Sequence, residues 1–230
     1  MGLRTTDELI ADTRLMLDNR TDLTAAQMLN WVNQAYNHIS QPEVRWHREL
    51  ETVYDITLVA AQSSYAVDSV TVGFTILDIV DVTFYDATAI AETTTRRDVQ
   101  PREINWWNRQ TLSSRSGGPS HYTWWKDEIK FASLPATADA SKIVRMEVYR
   151  DPAVLTAGTG TTSINRYFDR GIALGAKWMA ELDLGYAEQA EASRQEYAAW
   201  INEKRNATNM QSRDTRQRTQ IRHESYMDRS

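Results

Sequence analysis

The chain has 230 residues, 25% charged and 41% hydrophobic, enough to bury a real core in one large or two small domains. It has no cysteine, which excludes disulfides and thiolate metal sites. No apolar run approaches the ~20 residues of a membrane span, and the polar start MGLRTTDELIADTR lacks a signal-peptide core, so synthesis in the cytoplasm is the expectation. The net charge of -5 is unevenly spread: after Lys204, six arginines and three acids give residues 205–230 a charge of +3, leaving -8 on the body.

In chain order, Thr5 and Glu8 have the spacing of a capping box, with Leu9, Thr13 and Met16 on one face of a first helix. Thr24 and Gln27 form a second box, with Leu23 and Met28 placed as a hydrophobic staple. Met28, Val32, Ala35 and Ile39 then make one apolar face with Trp31 on its edge, and Pro42 ends the helix. From about Glu51 the period changes to two. YDITLVA, ILDIVDVTFYD and KIVRMEVYR read as strands with one face buried and one wetted, which implies antiparallel pairing. Val80, Val82, Phe84, Val144, Met146 and Val148 are expected inward; Asp81, Thr83, Tyr85, Arg145, Glu147 and Tyr149 are expected outward. ETTTRRDVQPRE reads as an exposed loop. GGPSHYTWWKDEIKFASLP reads as a glycine–proline turn followed by a hairpin that reverses at Lys126-Asp127-Glu128.

LTAGTGTTS, residues 155–163, is a small-residue linker. Ile164, Phe168, Ile172, Gly175, Met179 and Leu182 then share one side of a third helix. Gly171 and Gly175 admit another backbone, and Gly185 fits a C-cap. Tyr186, Ala190, Ser193, Tyr197 and Trp200 line a fourth helix. Residues 205–230 have almost no aliphatics and cannot bury enough surface to fold alone. The expected fold is α+β: a four-helix bundle of two N-terminal and two C-terminal helices, an inserted antiparallel β-rich region, and a flexible C-terminal tail. The divisions fall at 1–48, 49–155, 156–204 and 205–230.

Sites for chemistry are scarce. His38, His47, His121 and His223 have no metal-ligand spacing. GTGTTS lacks the lysine and preceding strand of a phosphate loop. Glu103, Asp127 and Glu128 lie near tryptophans as a glycosidase would require, but acids beside turns are usually solvated. Trp106-Trp107 and Trp124-Trp125 suggest a stacking platform for a glycan. In a strand, though, neighbouring side chains point to opposite faces, so at most one of each pair could join it. Packing or subunit contact is the favoured role for these four, for Trp31 and Trp46, and for Gly171 and Gly175. No enzyme, cofactor or metal is expected. The rival reading is a tail-associated glycan-binding or cell-wall-hydrolysing protein that uses the Trp-rich β region.

Three segments read together carry a resemblance: LNWVNQAYNHI (29–39) with Trp46; GGPSHYTWWKDEIKFASLP with the later VYRDPAVL (148–155); and INRYFDRGIALGAKWMAELDLGYAEQAEASRQEYAAWI (164–201). In order and spacing the chain resembles the head-to-tail adaptor, or connector, proteins of tailed bacteriophages, the short-tailed type above all. The resemblance covers most of residues 5–204, although the β block of about 100 residues is larger than in purely helical adaptors. It implies a structural virion protein, assembled in the host cytoplasm and residing at the virion neck. Twelve copies would form a ring under the portal protein, extend the DNA channel and receive tail nozzle or tube proteins. The genomic DNA would pass without sequence-specific binding, which an acidic body favours because it does not neutralise phosphates. The resemblance also implies that the tail docks on the portal through Arg213, Arg216, Arg218, Arg222 and Tyr226, the arginines forming bidentate pairs with carboxylates.

Overall fold

The computed structural model describes residues 4–44, 47–110, 112, 114–115, 117–158 and 160–204. Its helices are, in chain order, α1 (Thr6–Met16), α2 (Ala25–Ser40), α3 (Ser69–Val72), α4 (Ile104–Trp107), α5 (Asp169–Asp183) and α6, residues 187–204. The strands are β1 (Glu51–Thr57), β2 (Ser64–Ala66), β3 (Ile76–Tyr85), β4 (Arg96–Asp98), β5 (Gln100–Pro101), β6 (Ser114–Arg115), β7 (His121–Trp125), β8 (Glu128–Phe131), β9 (Leu134–Pro135) and β10 (Ile143–Arg150). The architecture is mixed α+β. The chain divides into two compact units: one is built from the chain up to His47 and from Pro152 onward, the other from Arg48–Asp151.

Both capping boxes form. The Thr5 hydroxyl accepts from the Glu8 amide while the Glu8 carboxylate accepts from the Thr5 amide, and Thr24 and Gln27 repeat the exchange at α2. The buried face of α2 is broader than its spacing suggested. Trp31, expected on the edge, is only 2% exposed, and its indole N–H donates to the Asp183 carboxylate at 3.1 Å, which satisfies its one polar atom. Around the centre of α5, Gly171–Ala176 are buried without interruption, so the helix is enclosed on every side there. It packs on α1 and α2; Gly171 faces α6, and Gly175 lies between α2 and α6. A Cβ on Gly171 would overlap the Trp200 ring. One on Gly175 would lie 3.0 Å from the Ala35 Cβ and 3.2 Å from the Tyr197 ring. Leu182, expected inside, is 59% exposed, because the last turn buries Ala180 and Glu181 instead.

Gly185 ends α5 in the left-handed region. Its N–H bonds the Leu182 carbonyl and the Tyr186 N–H bonds that of Glu181, the two bonds of a Schellman cap. Tyr186 therefore precedes α6 rather than lining it; it is 42% exposed, and its hydroxyl accepts from Arg20 at 3.0 Å. The 155–163 stretch is more than a linker. The Gly160 carbonyl accepts from the Thr6 amide at 2.7 Å and from the Thr6 hydroxyl, and the Gly158 amide donates to Asp7, so this stretch serves unpaired groups of the first turn of α1.

In the β unit, one sheet has the order β1-β10-β3-β4, all antiparallel. A second has the order β2-β8-β7-β5, with β5 parallel to β7. β6 and β9 form a parallel pair. One apolar cluster draws on both four-stranded sheets: Ile56, Val82, Phe84, Val144, Met146 and Val148 from the first, Tyr65, Tyr122, Ile129 and Phe131 from the second. The alternation holds for Val82, Phe84 and the three inward residues of β10. It fails at Val80, which is 46% exposed. Glu147 lies opposite Asp81 and Val148 opposite Ile79, so Val80 is the extra residue of a β-bulge. Thr83 and Tyr149, expected outward, are buried at 9% and 0% exposure; alternation reports only the two faces of an isolated strand, not what covers the second face. The ETTTRRDVQPRE stretch is no simple loop. Arg96–Asp98 keep exposed side chains, yet pair through the backbone with Thr83–Tyr85 as β4.

Enclosure of α5 gives a direct expectation. Gly171→Val should destabilise the chain by about 1–3 kcal/mol through overpacking against Trp200, read from the midpoint of a urea melt, whereas Leu182→Ala on the exposed last turn should cost under about 0.5 kcal/mol.

Candidate functional site

Few of the residues singled out from the sequence form one site. Trp46, Arg213, Arg216, Arg218, Arg222 and Tyr226 lie outside the described residues. Trp31, Gly171 and Gly175 belong to the helical unit, where Gly175 meets a cluster the sequence did not announce. There the His38 Nδ1 and the Tyr197 hydroxyl are 2.9 Å apart, and the Trp178 and Tyr197 rings stack at 5.8 Å. Burial pushes the His38 imidazole below its ordinary range and the Tyr197 hydroxyl above its own. Positions 38 and 197 have no relation in sequence, and no spacing rule could have joined them.

The tryptophan pairs divide. Trp106 and Trp107 lie on α4, a single helical turn, so the opposite-face argument for a strand does not apply to them. Trp106 packs against His121 at 5.2 Å, with the Arg102 guanidinium over its ring; Lys130 sits over the Trp107 ring at 5.1 Å. Trp124 and Trp125 do alternate along β7: Trp124 packs on the β core and Trp125 is 47% exposed. Among the described residues no ring contact joins any two of these four. The acids beside them fare no better as a catalytic pair. The Lys130 ammonium, 3.2 Å away, holds the Glu128 carboxyl below its ordinary range, the opposite of what a general acid needs. Asp127 is in the hairpin turn, where Lys126 carries the positive φ of 55°.

The GGP segment is tied down rather than free to bind. Asp139, 1% exposed, accepts from the Gly117 amide at 2.9 Å, the Gly118 amide at 3.3 Å and the Lys142 ammonium at 2.6 Å. Arg97 donates to the carbonyls of Gly117, Gly118 and Pro119. Gly118, at a φ of 73°, lies so close to the Phe84 ring that a Cβ would overlap it. Burial alone would raise the Asp139 carboxyl. Lys142 and the glycine amides outweigh it and hold the group below its ordinary range.

In the helical unit a cleft of about 510 Å³ is lined by Arg4, Arg166, Arg170, Asp12 and Asp169, with Leu15 and Tyr167 exposed at 62% and 77%. Asp169 Oδ2 is 3.9 Å from Arg4, and among the described residues its buried Oδ1 has no hydrogen bond. Burial pushes this carboxyl up to about 6 despite Arg4 and Arg166. Among the described residues, no group of three or more His, Asp or Glu could hold a metal ion, and no helix is long and apolar enough to cross a membrane.

Two expectations follow from these carboxylates. Asp139→Ala should cost about 2–3 kcal/mol at pH 7, since it leaves the Gly117 and Gly118 amides without their acceptor, while Lys142 keeps Asp86 at 2.6 Å. Because the Asp139 carboxyl is depressed in the folded chain, its contribution is present above the ordinary carboxylate range and is lost as the pH falls through the folded value. The gap between the natural chain and the variant should therefore narrow as melts are taken from pH 7 to pH values below the ordinary carboxylate range. Asp169 has the reverse sign. Its folded value lies above the unfolded 3.8, so its contribution is complete below 3.8 and is lost as the pH rises through about 6. Asp169→Asn should gain up to about 3 kcal/mol on the natural chain between pH 4 and pH 7; a difference flat in pH would show that its neighbours compensate the charge fully.

Comparison with protein families gives a match over residues 4–223 to the family described as SU10 adaptor protein. Comparison with curated proteins gives no match.

Proposed function

The chain belongs to the SU10 adaptor protein family, and on that footing we propose that it is a structural protein of the bacteriophage virion, an adaptor at the junction of head and tail. The extent of the match carries this reading: it takes in both compact units and continues past Lys204 into the basic segment. In this reading α1, α2, α5 and α6 make a four-helix bundle, residues 49–155 are an inserted β-rich domain between the helical pairs 1–48 and 156–204, and residues 205–230 are a separate arm.

Copies of the chain, twelve in number, stand as a ring beneath the portal, continue the DNA channel and offer the tail its attachment site. The acidic body supports passage of DNA without a grip on its phosphates. Trp125, Leu15 and Tyr167 are exposed apolar surface of the kind that lateral or tail contacts cover. The arm reaches the portal through Arg213, Arg216, Arg218, Arg222 and Tyr226, with guanidinium–carboxylate pairs supplying the affinity. No catalytic step is part of this reading.

The test is co-assembly of the purified chain with the portal ring encoded in the same genome, imaged by electron microscopy. A second ring stacked coaxially on the portal is expected, and a chain that stays apart from the portal overturns the reading. Neutralising Arg213, Arg216, Arg218 and Arg222 together should weaken attachment at least about tenfold; unchanged attachment removes the arm from the contact.

A further inference from the structure

The first half of β3 is a strand edge without a neighbour. β10 pairs with β3 along its length on one side, but β4 reaches only Thr83–Tyr85 on the other, followed by one bond from the Val99 amide to the Val82 carbonyl. Residues 76–81 have no strand partner on that side among the described residues. A cleft of about 400 Å³ runs along this edge, with Asp78, Asp81, Asp98, Tyr122 and Trp124 in its lining.

Its chemistry suits a cationic guest. Asp78 and Asp81 are three residues apart, which in a regular strand would set them on opposite faces. The bulge at Val80 changes that. Asp78 lies opposite Tyr149 and Asp81 opposite Glu147, two residues apart on β10, so both carboxylates share one face. No ion pair reaches Asp78, Asp81 or Asp98 among the described residues. Arg102, also in the lining, is turned to His121 and the Trp106 ring. Tyr122 is 7% exposed, and among the described residues its hydroxyl has no hydrogen-bond partner. Burial, and then the charges of Asp81 and Asp78, push that hydroxyl up to about 12, so it remains a donor for an incoming carbonyl.

The chain itself carries a matching guest. Residues 205–230 would reach on the order of 80 Å if extended. Within Thr215–Arg222, Arg216, Arg218 and Arg222 share the even-numbered positions with Gln220, and Thr215, Gln217, Thr219 and Ile221 take the odd-numbered ones. An extended backbone would therefore put all three guanidiniums on one face and β-compatible residues on the other.

We propose that residues 215–222 of a second copy of the chain add to the free edge of β3 as a strand, with Arg216, Arg218 and Arg222 answering Asp78, Asp81 and Asp98. This rests on the reading above that copies of the chain meet, and it engages these arginines before the portal does.

Absence of cysteine from the chain makes the test direct. Full-length Val80→Cys and full-length Gln217→Cys are purified apart, mixed without portal and joined by a short bismaleimide. The heterodimer on a denaturing gel should exceed several-fold that obtained with Val154→Cys, an exposed position in the helical unit, in place of Val80→Cys. Adding Asp78→Asn, Asp81→Asn and Asp98→Asn to the first chain should lower the yield about tenfold, as should Arg216→Glu with Arg218→Glu on the second. A yield equal to the Val154→Cys control, or one indifferent to both charge changes, overturns the proposal. Portal attachment is read separately, so failure here leaves the adaptor reading standing, and failure there leaves this contact standing.

Discussion

The helical unit depends on the enclosure of one short stretch of α5. From Gly171 to Ala176 the chain has almost no free surface, and helices can approach it this closely because Gly171 and Gly175 have no side chain. Trp200 fills the space over Gly171, while Ala35 and Tyr197 close on Gly175. Asp169, just ahead of this stretch, is carried into the interior by the helix that follows it. Burial is the main cause that raises its carboxyl, with the nearby Glu8 charge adding a smaller push.

The β unit is organised differently. Its apolar cluster joins two sheets, but the long path between β4 and β7 has little to bury and is secured by polar contacts. Asp139 gathers two consecutive amides and a lysine, and Arg97 takes three consecutive carbonyls. A buried carboxylate satisfied in this way can stand in for an element of secondary structure. The glycines at 117 and 118 serve a tether, and Gly118 also makes room for Phe84. Trp106 and Trp107 are capped by cations and Trp124 packs on the core, which suits a framework better than a stacking platform.

Much of this was legible in the sequence wherever the signal was local. Capping boxes are read over four residues, and Thr5 with Glu8 and Thr24 with Gln27 formed as spaced. Period-two alternation located β1, β3 and β10, and Gly185 took the cap conformation its place implied. Several of the misreadings share one cause: the deciding partner lies outside the local window. Trp31 is inside because Asp183 meets its indole, 152 residues away. Val80 is outside because the register with β10 slips at that point. Arg96–Asp98 look like a solvated charge run and are a strand, because pairing uses the backbone and leaves the side chains free.

Composition and local pattern thus settled that the chain is α+β, that helices flank a block of strands, and that the basic charge is set apart from an acidic body. They did so because capping, periodicity and net charge are sums over near neighbours. The tertiary structure alone decided which carboxylates are buried, which glycines face an aromatic ring, and that Asp78 and Asp81 share a face beside an unpaired strand edge. These follow from register and packing between segments far apart in the chain, which no window of the sequence contains.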